Sequence, residues 1–128
     1  MNLGGQTSTG TPENALTWDE NATINADSAD FNFVQPTSAS ATTGNDINVA
    51  FGGHKIATIT GTSSGYIYPH FQDDLEVAGA ITVNGTDKFY QENGTIEIGG
   101  SLTGTGEFLA NNGAFKFSGI DFCDWSSW

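Results

Sequence analysis

Large apolar side chains recur two residues apart along this chain, and short polar turns separate the runs. Clear pairs in the second half are Ile81/Val83, Ile96/Ile98 and Phe115/Phe117. A spacing of two places side chains on one face of a β-strand, whereas a helix repeats every 3.6 residues. The turns between the runs include Asn84-Gly85, Asn93-Gly94 and Asn112-Gly113. Both residues of such a dipeptide accept positive φ, as a tight hairpin requires. The pattern predicts an all-β protein of short strands.

The first half of the chain shows the same alternation. Its apolar pairs are Leu16/Trp18, Ala22/Ile24, Phe31/Phe33 and Ile47/Val49. This alternation therefore predicts three short strands within residues 16–34. It also predicts a hairpin formed by residues 56–60 and 66–68. Residues 1–14 have little apolar content and predict an extended N-terminal arm. Residues 15–128 predict a single all-β domain that ends in an aromatic C-terminal tail. No window predicts a helix.

Two arrangements of the strands remain open. Fragments that begin with an apolar residue and a threonine start at Ile59, Ile81 and Leu102. Their spacing suits a β-solenoid with rungs of about 21 residues, in which each turn stacks on the one before. The Asn-Gly dipeptides instead favour short antiparallel strands in a sandwich or meander. We expect the sandwich or meander and keep the solenoid as the alternative.

Charge is unevenly distributed between acids and bases. Fifteen carboxylates stand against three lysines, with no arginine, and the formal net charge is −12. Nucleic-acid binding requires cationic groups that displace counterions, so this composition argues against nucleic acid as a partner. It also argues against anionic membranes, and no apolar stretch approaches the roughly 20 residues that span a bilayer. The partners that this charge still allows are a protein with a basic or polar surface, a glycan or a divalent cation.

Residues with catalytic or metal-binding chemistry form no recognisable motif. His54, His70 and Cys123 are far apart and lack the paired spacing of zinc ligands or of a nucleophile and its base. Two groups of acids could offer oxygen atoms to calcium: Asp19, Glu20, Asp27 and Asp30, and Asp73, Asp74 and Glu76. Neither group matches a calcium-binding loop, and we interpret both as turn carboxylates. The sequence thus predicts no enzyme, no catalytic or metal-binding residue and no cofactor, with calcium as the alternative.

Aromatic residues are the more informative candidates for binding. Trp18, Tyr66, Tyr68 and Tyr90 have side chains that can stack on a sugar ring or fill a partner's pocket. Near the end of the sequence, Phe122, Trp125 and Trp128 form an apolar tail whose surface requires cover. We predict Leu3, Trp18, Phe122, Trp125 and Trp128 as interaction residues. The single cysteine allows no intrachain disulfide, and a small all-β domain without one favours a homo-oligomer.

Residues 92–119 read ENGTIEIGGSLTGTGEFLANNGAFKFSG. This stretch resembles the Gly/Thr/Asn-rich β-structure of bacterial autotransporter passengers and of phage tail-fibre and capsid-decoration proteins. The resemblance implies a structural or adhesive role, with a homotrimer favoured. The N-terminus carries no secretory signal pattern, which favours folding in a cytoplasm. We therefore expect a structural virion protein, either a capsid decoration (cement) protein or a fibre component, that binds a capsid or similar assembly. A surface adhesin or carbohydrate-binding module, located at the cell surface or outside the cell, is the alternative.

Overall fold

The computed structural model describes residues 2–4, 13–34, 45–61 and 66–119, and the regular elements in these ranges are all β-strands. In chain order they are β1 (Asn2–Gly4), β2 (Glu13–Thr17), β3 (Asp30–Val34), β4 (Asn45–Ala50), β5 (Lys55–Ile56), β6 (Thr58–Gly61), β7 (Ile67–Phe71), β8 (Leu75–Val77), β9 (Ile81–Thr82), β10 (Lys88–Gln91), β11 (Thr95–Ile98), β12 (Leu102–Thr103), β13 (Glu107–Ala110) and β14 (Ala114–Phe117). The all-β prediction is confirmed.

The strands form three sheets through which the chain passes in a fixed order. Sheet A has the order β1-β3-β6-β9-β12, sheet B the order β13-β10-β7-β4-β2, and sheet C the order β14-β11-β8-β5. The strand pairs that build these sheets are parallel. From β3 onward, each turn of the chain adds one strand to sheet A, then B, then C. The described chain is therefore a parallel β-solenoid, the alternative that the sequence left open.

The expected antiparallel sandwich or meander is wrong, and so are the hairpins that suggested it. Strands β6 and β7, predicted as a hairpin, lie in different sheets. Gly85 and Gly94 do adopt positive φ, at 61° and 73°, but they turn corners between sheets. A corner and a hairpin need the same left-handed residue, so the local signal cannot tell them apart. The spacing signal was the correct one, because Ile59, Ile81 and Leu102 stack in register in sheet A.

One further expectation differs from the structure in the first half of the chain. The pair Ala22/Ile24 predicted a strand, yet residues 18–29 contain none. Within this stretch, Trp18, Ala26 and Ala29 pack against the hydrophobic core. The loop that leads from β2 to β3 thus places these three apolar side chains against the core.

The core consists of the inward-facing positions of all three sheets. Its largest fully buried side chains are Phe31, Phe33, Phe51, Phe71, Phe89, Ile47, Ile56, Ile59, Ile67, Ile81, Ile96 and Ile98. Aromatic rings link different turns: the centroid of Phe33 lies 5.9 Å from that of Phe71 in the next turn and 5.3 Å from that of Phe89 in the turn after it. Since alternate residues of strands β3 to β11 enter this core, the opposite residues form three outer faces that carry the polar groups.

Candidate functional site

The outer face of sheet B brings together polar and aromatic side chains that are far apart in the sequence. The strand register places Asp46 of β4 opposite Tyr68 of β7. In the next row, His70 of β7 lies opposite Tyr90 of β10. Neighbouring strands are about 4.8 Å apart, so residues in one row are close enough for their side chains to touch. The parallel stack therefore builds a continuous surface from successive turns.

A groove lies at the corner where the chain passes from sheet A to sheet B. It has a volume of about 350 Å³ and is lined by Tyr66 and Tyr68 on one turn. The other lining groups include Lys88, Thr105 and Glu107 from the next two turns. The volume is near the lower end of the roughly 300 to 1,000 Å³ that is usual for small-ligand sites. The groove thus offers aromatic surface, hydroxyl groups and charges of both signs to one small ligand.

Interactions between turns fix the polar side of this groove. The ammonium group of Lys88 lies 3.4 Å from Oε1 of Glu107. The backbone N–H of Gly85 donates a hydrogen bond of 3.0 Å to Oγ1 of Thr105. Because Lys88 and Glu107 are both considerably exposed, their ion pair contributes little to stability. Both groups remain accessible to a ligand.

The aromatic side of the face is ordered by ring packing. The rings of Tyr68 and Tyr90 are perpendicular, with centroids 6.5 Å apart. The imidazole of His70 stacks on Tyr90 at 4.6 Å and an interplanar angle of 7°. Partial burial raises the pKa of both Tyr68 and Tyr90 above the ordinary 10.0, and the carboxylate of Asp46 acts in the same direction, while Lys88 opposes it. Both phenols therefore stay protonated near neutral pH and keep their O–H donors.

His70 connects three successive turns of the solenoid. Its Nε2 lies 2.8 Å from Oδ1 of Asp46, and its Nδ1 lies 2.5 Å from Oε1 of Glu92. In each contact a ring nitrogen of His70 faces a carboxyl oxygen of an adjacent turn. Although partial burial acts to raise it, hydrogen bonds from His70 and Asn111 hold the pKa of Glu92 below its usual value. The two ring nitrogens are thus engaged by carboxylates, and we interpret His70 as a positioning residue for the face.

Asp87 is a buried carboxyl group beside the same corner. It is 1% exposed, and its Oδ1 accepts a 3.1 Å hydrogen bond from the backbone N–H of Ile67. Its Oδ2 has no hydrogen-bond partner among the described residues. Burial raises the pKa of Asp87 to about 6, and the hydrogen bond from Ile67 only partly offsets this effect. Asp87 therefore introduces a charge that is poorly solvated at neutral pH.

Two of the acids predicted as alternative calcium ligands, Asp73 and Asp74, link successive turns. The carboxylate of Asp73 accepts hydrogen bonds of 2.7 Å from the backbone N–H groups of both Phe51 and Gly52. Oδ1 of Asp74 accepts a 2.8 Å hydrogen bond from the backbone N–H of Thr95. Across residues 2–4, 13–34, 45–61 and 66–119, no cluster of three or more His, Cys, Asp or Glu side chains is placed to hold a metal ion. In the same ranges, no helix is long and apolar enough to cross a membrane.

The predicted interaction residues lie apart from this site or outside the described residues. Leu3 is in β1 at the edge of sheet A, in register with Phe33. Trp18 is partly buried, and its ring centroid lies 5.6 Å from that of Phe31 and 5.3 Å from that of Phe51. The three aromatic tail residues lie outside the described residues: Phe122, Trp125 and Trp128.

Two tyrosines that the sequence indicated for glycan stacking, Tyr66 and Tyr68, line the groove, and a third, Tyr90, lies beside Tyr68 on sheet B. The sequence did not point to Lys88, Thr105 or Glu107, which complete the groove. Their proximity depends on the strand register, which places Lys88 opposite Glu107. The repeat spacing of about 21 residues was the signal that could have found them.

These features define the class of protein as a parallel β-solenoid with a ligand-sized groove at one corner. Neither a family model, nor a curated protein, nor a solved structure matches the chain.

Proposed function

We propose that this chain is a carbohydrate-binding module of an adhesin-like surface protein, and that the corner groove holds the sugar. The observation that carries this proposal is the convergence of Tyr66 and Tyr68 with Lys88, Thr105 and Glu107 in one groove of about 350 Å³. Tyrosine combines apolar ring surface with an O–H group, which suits a sugar ring with apolar and hydroxylated parts. Ammonium, carboxylate and hydroxyl groups supply both donors and acceptors for the sugar hydroxyls.

Charge narrows the class of carbohydrate. The chain has a formal net charge of −12, and Lys88, the lysine of the groove, is paired with Glu107. A uronate or sulfated polymer would be repelled by this field, whereas a neutral sugar would not. The proposed ligand is therefore a neutral oligosaccharide, of which only a short stretch fits the groove.

The test is binding of soluble neutral glucans and mannans, with alginate as the acidic comparison, measured by isothermal titration calorimetry and affinity electrophoresis. Tyr68→Ala should weaken binding at least tenfold, because it removes ring surface that lines the groove. Lys88→Gln should weaken binding less, since it removes charge but keeps a donor. The matched control is Lys116→Gln, because Lys116 is also exposed and paired with a glutamate, but lies on sheet C. Equal binding by the parent and Tyr68→Ala would exclude the groove as the sugar site.

A second candidate function is a structural component of a virion, as a capsid decoration or fibre protein that assembles as a homotrimer. The observation that favours it is the position of β1 and β2 at the outer ends of sheets A and B. Edge strands offer backbone N–H and C=O groups to another chain. Sedimentation and light scattering of the full chain test it. A monomer of 13.4 kDa at all concentrations would argue against it, and glycan binding by that monomer would leave the first proposal standing.

A further inference from the structure

The last turn of the described solenoid exposes apolar side chains at positions that the preceding turn buries. Leu102, Phe108, Phe115 and Phe117 stack in register on Ile81, Phe89, Ile96 and Ile98. The four residues of the preceding turn are all 0% exposed, whereas Phe115 is 39% exposed. The other three residues of the last turn are only partly buried. We call Leu102, Phe108, Phe115 and Phe117 the terminal apolar layer.

The terminal apolar layer is a continuous surface. The ring centroid of Phe108 lies 5.5 Å from that of Phe115, which lies 5.9 Å from that of Phe117. A groove of about 210 Å³ adjoins it, lined in part by Val83, Leu102 and Phe108. A contiguous apolar surface of this kind marks a place that another segment or chain covers.

The same chain supplies a segment of suitable composition at this end. Residues 120–128, IDFCDWSSW, follow directly after Gly119 and lie outside the described residues. Gly119 itself stacks closely on Gly99 of the preceding turn. The segment has nine residues. At about 3.3 Å per residue they extend up to about 30 Å, which is enough to cross the end of the stack.

Charge and tethering favour this segment over a second copy of the protein. End-to-end stacking would bring together two chains that each carry a net charge of −12. Such repulsion opposes association, whereas a tethered segment already has a high effective concentration at the surface. We propose that residues 120–128 of the same chain cover the terminal apolar layer, with Trp125 and Trp128 against its phenylalanine rings.

The experiment uses the indoles of the tail as reporters. The chain has three tryptophans, so Trp18→Phe leaves Trp125 and Trp128 as the fluorophores. In the folded full-length variant, acrylamide quenching should be several-fold weaker than in urea. This protection should not change on dilution. Quenching as strong as in urea overturns the proposal, and protection that is lost on dilution overturns it in favour of a second copy.

Two further variants test the contact itself. Phe115→Lys, made in the Trp18→Phe background, should raise quenching to the level in urea while the circular dichroism of the strands persists. Val34→Lys is the matched control, because Val34 is 36% exposed and lies in β3, toward the other end of sheet A. If the indoles stay protected in folded Phe115→Lys, the proposal is wrong.

Deletion of residues 120–128 gives an independent measurement if Phe115→Lys fails to fold. The shortened chain should bind several-fold more of a hydrophobic dye than the full chain. The double variant Ser126→Ala with Ser127→Ala, which keeps both tryptophans, should bind no more than the full chain. No increase in dye binding after the deletion overturns the proposal.

Discussion

Asp87→Asn should stabilise the protein at neutral pH and have little effect in acid. The carboxyl group of Asp87 is 1% exposed, and its pKa rises from 3.8 to about 6 on folding. A raised pKa means that the unfolded chain loses its proton first. The contribution of the neutral Asp87 side chain to the free energy of unfolding is therefore fully present below pH 4 and is lost as the pH rises to about 6. At about 1.4 kcal/mol per pKa unit, the loss above pH 6 is about 3 kcal/mol.

Asparagine has the same shape as aspartate but cannot ionise, and its Oδ1 can still accept the hydrogen bond from the N–H of Ile67. The free energy of unfolding of Asp87→Asn should exceed that of the parent by about 2 to 3 kcal/mol at pH 7.5. The two proteins should converge near pH 4. Urea unfolding at a series of pH values measures this difference directly.

The control for Asp87→Asn is Asp27→Asn, which removes one negative charge at an exposed turn position. Because the protein carries a net charge of −12, any such change relieves some repulsion. The control should therefore show a small gain that is much the same above and below pH 6. A difference between Asp87→Asn and the parent that does not depend on pH, or a loss of stability at pH 7.5, would refute the reasoning.

Three other predictions concern the links between turns and the charge. Asp73→Ala should lower the free energy of unfolding by about 3 kcal/mol, because it removes two charge-assisted hydrogen bonds to the N–H groups of Phe51 and Gly52. Gly94→Ala and Gly53→Ala both place alanine at positive φ, at 73° and 75°. Only at Gly94 would the Cβ lie as close as 2.6 Å to backbone, against 3.9 Å to the nearest atom at Gly53. Gly94→Ala should therefore lower the free energy of unfolding, measured in urea, by about 1 to 3 kcal/mol more than Gly53→Ala does. Equal losses in the two variants would contradict the close stacking at Gly94. Added NaCl should raise the melting temperature by screening the net charge, and CaCl₂ at matched ionic strength should raise it equally; a larger calcium response would indicate a specific site.

The existence of strands could be predicted from the sequence, but their partners could not. Ile96 and Ile98 are two residues apart and both fully buried, as the alternation predicts. A sandwich and a solenoid both bury alternate residues, so this alternation is the same in either fold. The residues of the groove could likewise be predicted only in part, because the sequence does not show which of them become neighbours. Tyr68 was recognisable by residue type, whereas Lys88 and Glu107 join it only through parallel register.

Glycines carry the evidence that could have decided between the two folds. A Cβ on Gly100 would lie 2.6 Å from backbone atoms of Gly79, and a Cβ on Gly119 would lie 1.7 Å from the carbonyl oxygen of Gly99. No side chain fits at such distances, because the backbones of successive turns touch there. In a meander, the Gly99-Gly100 dipeptide would need only to turn the chain, and glycines one rung away would be unnecessary. Stacked turns require glycines that recur at the rung spacing, so this recurrence indicates parallel turns. The Asn-Gly dipeptides, in contrast, indicate only that the chain changes direction.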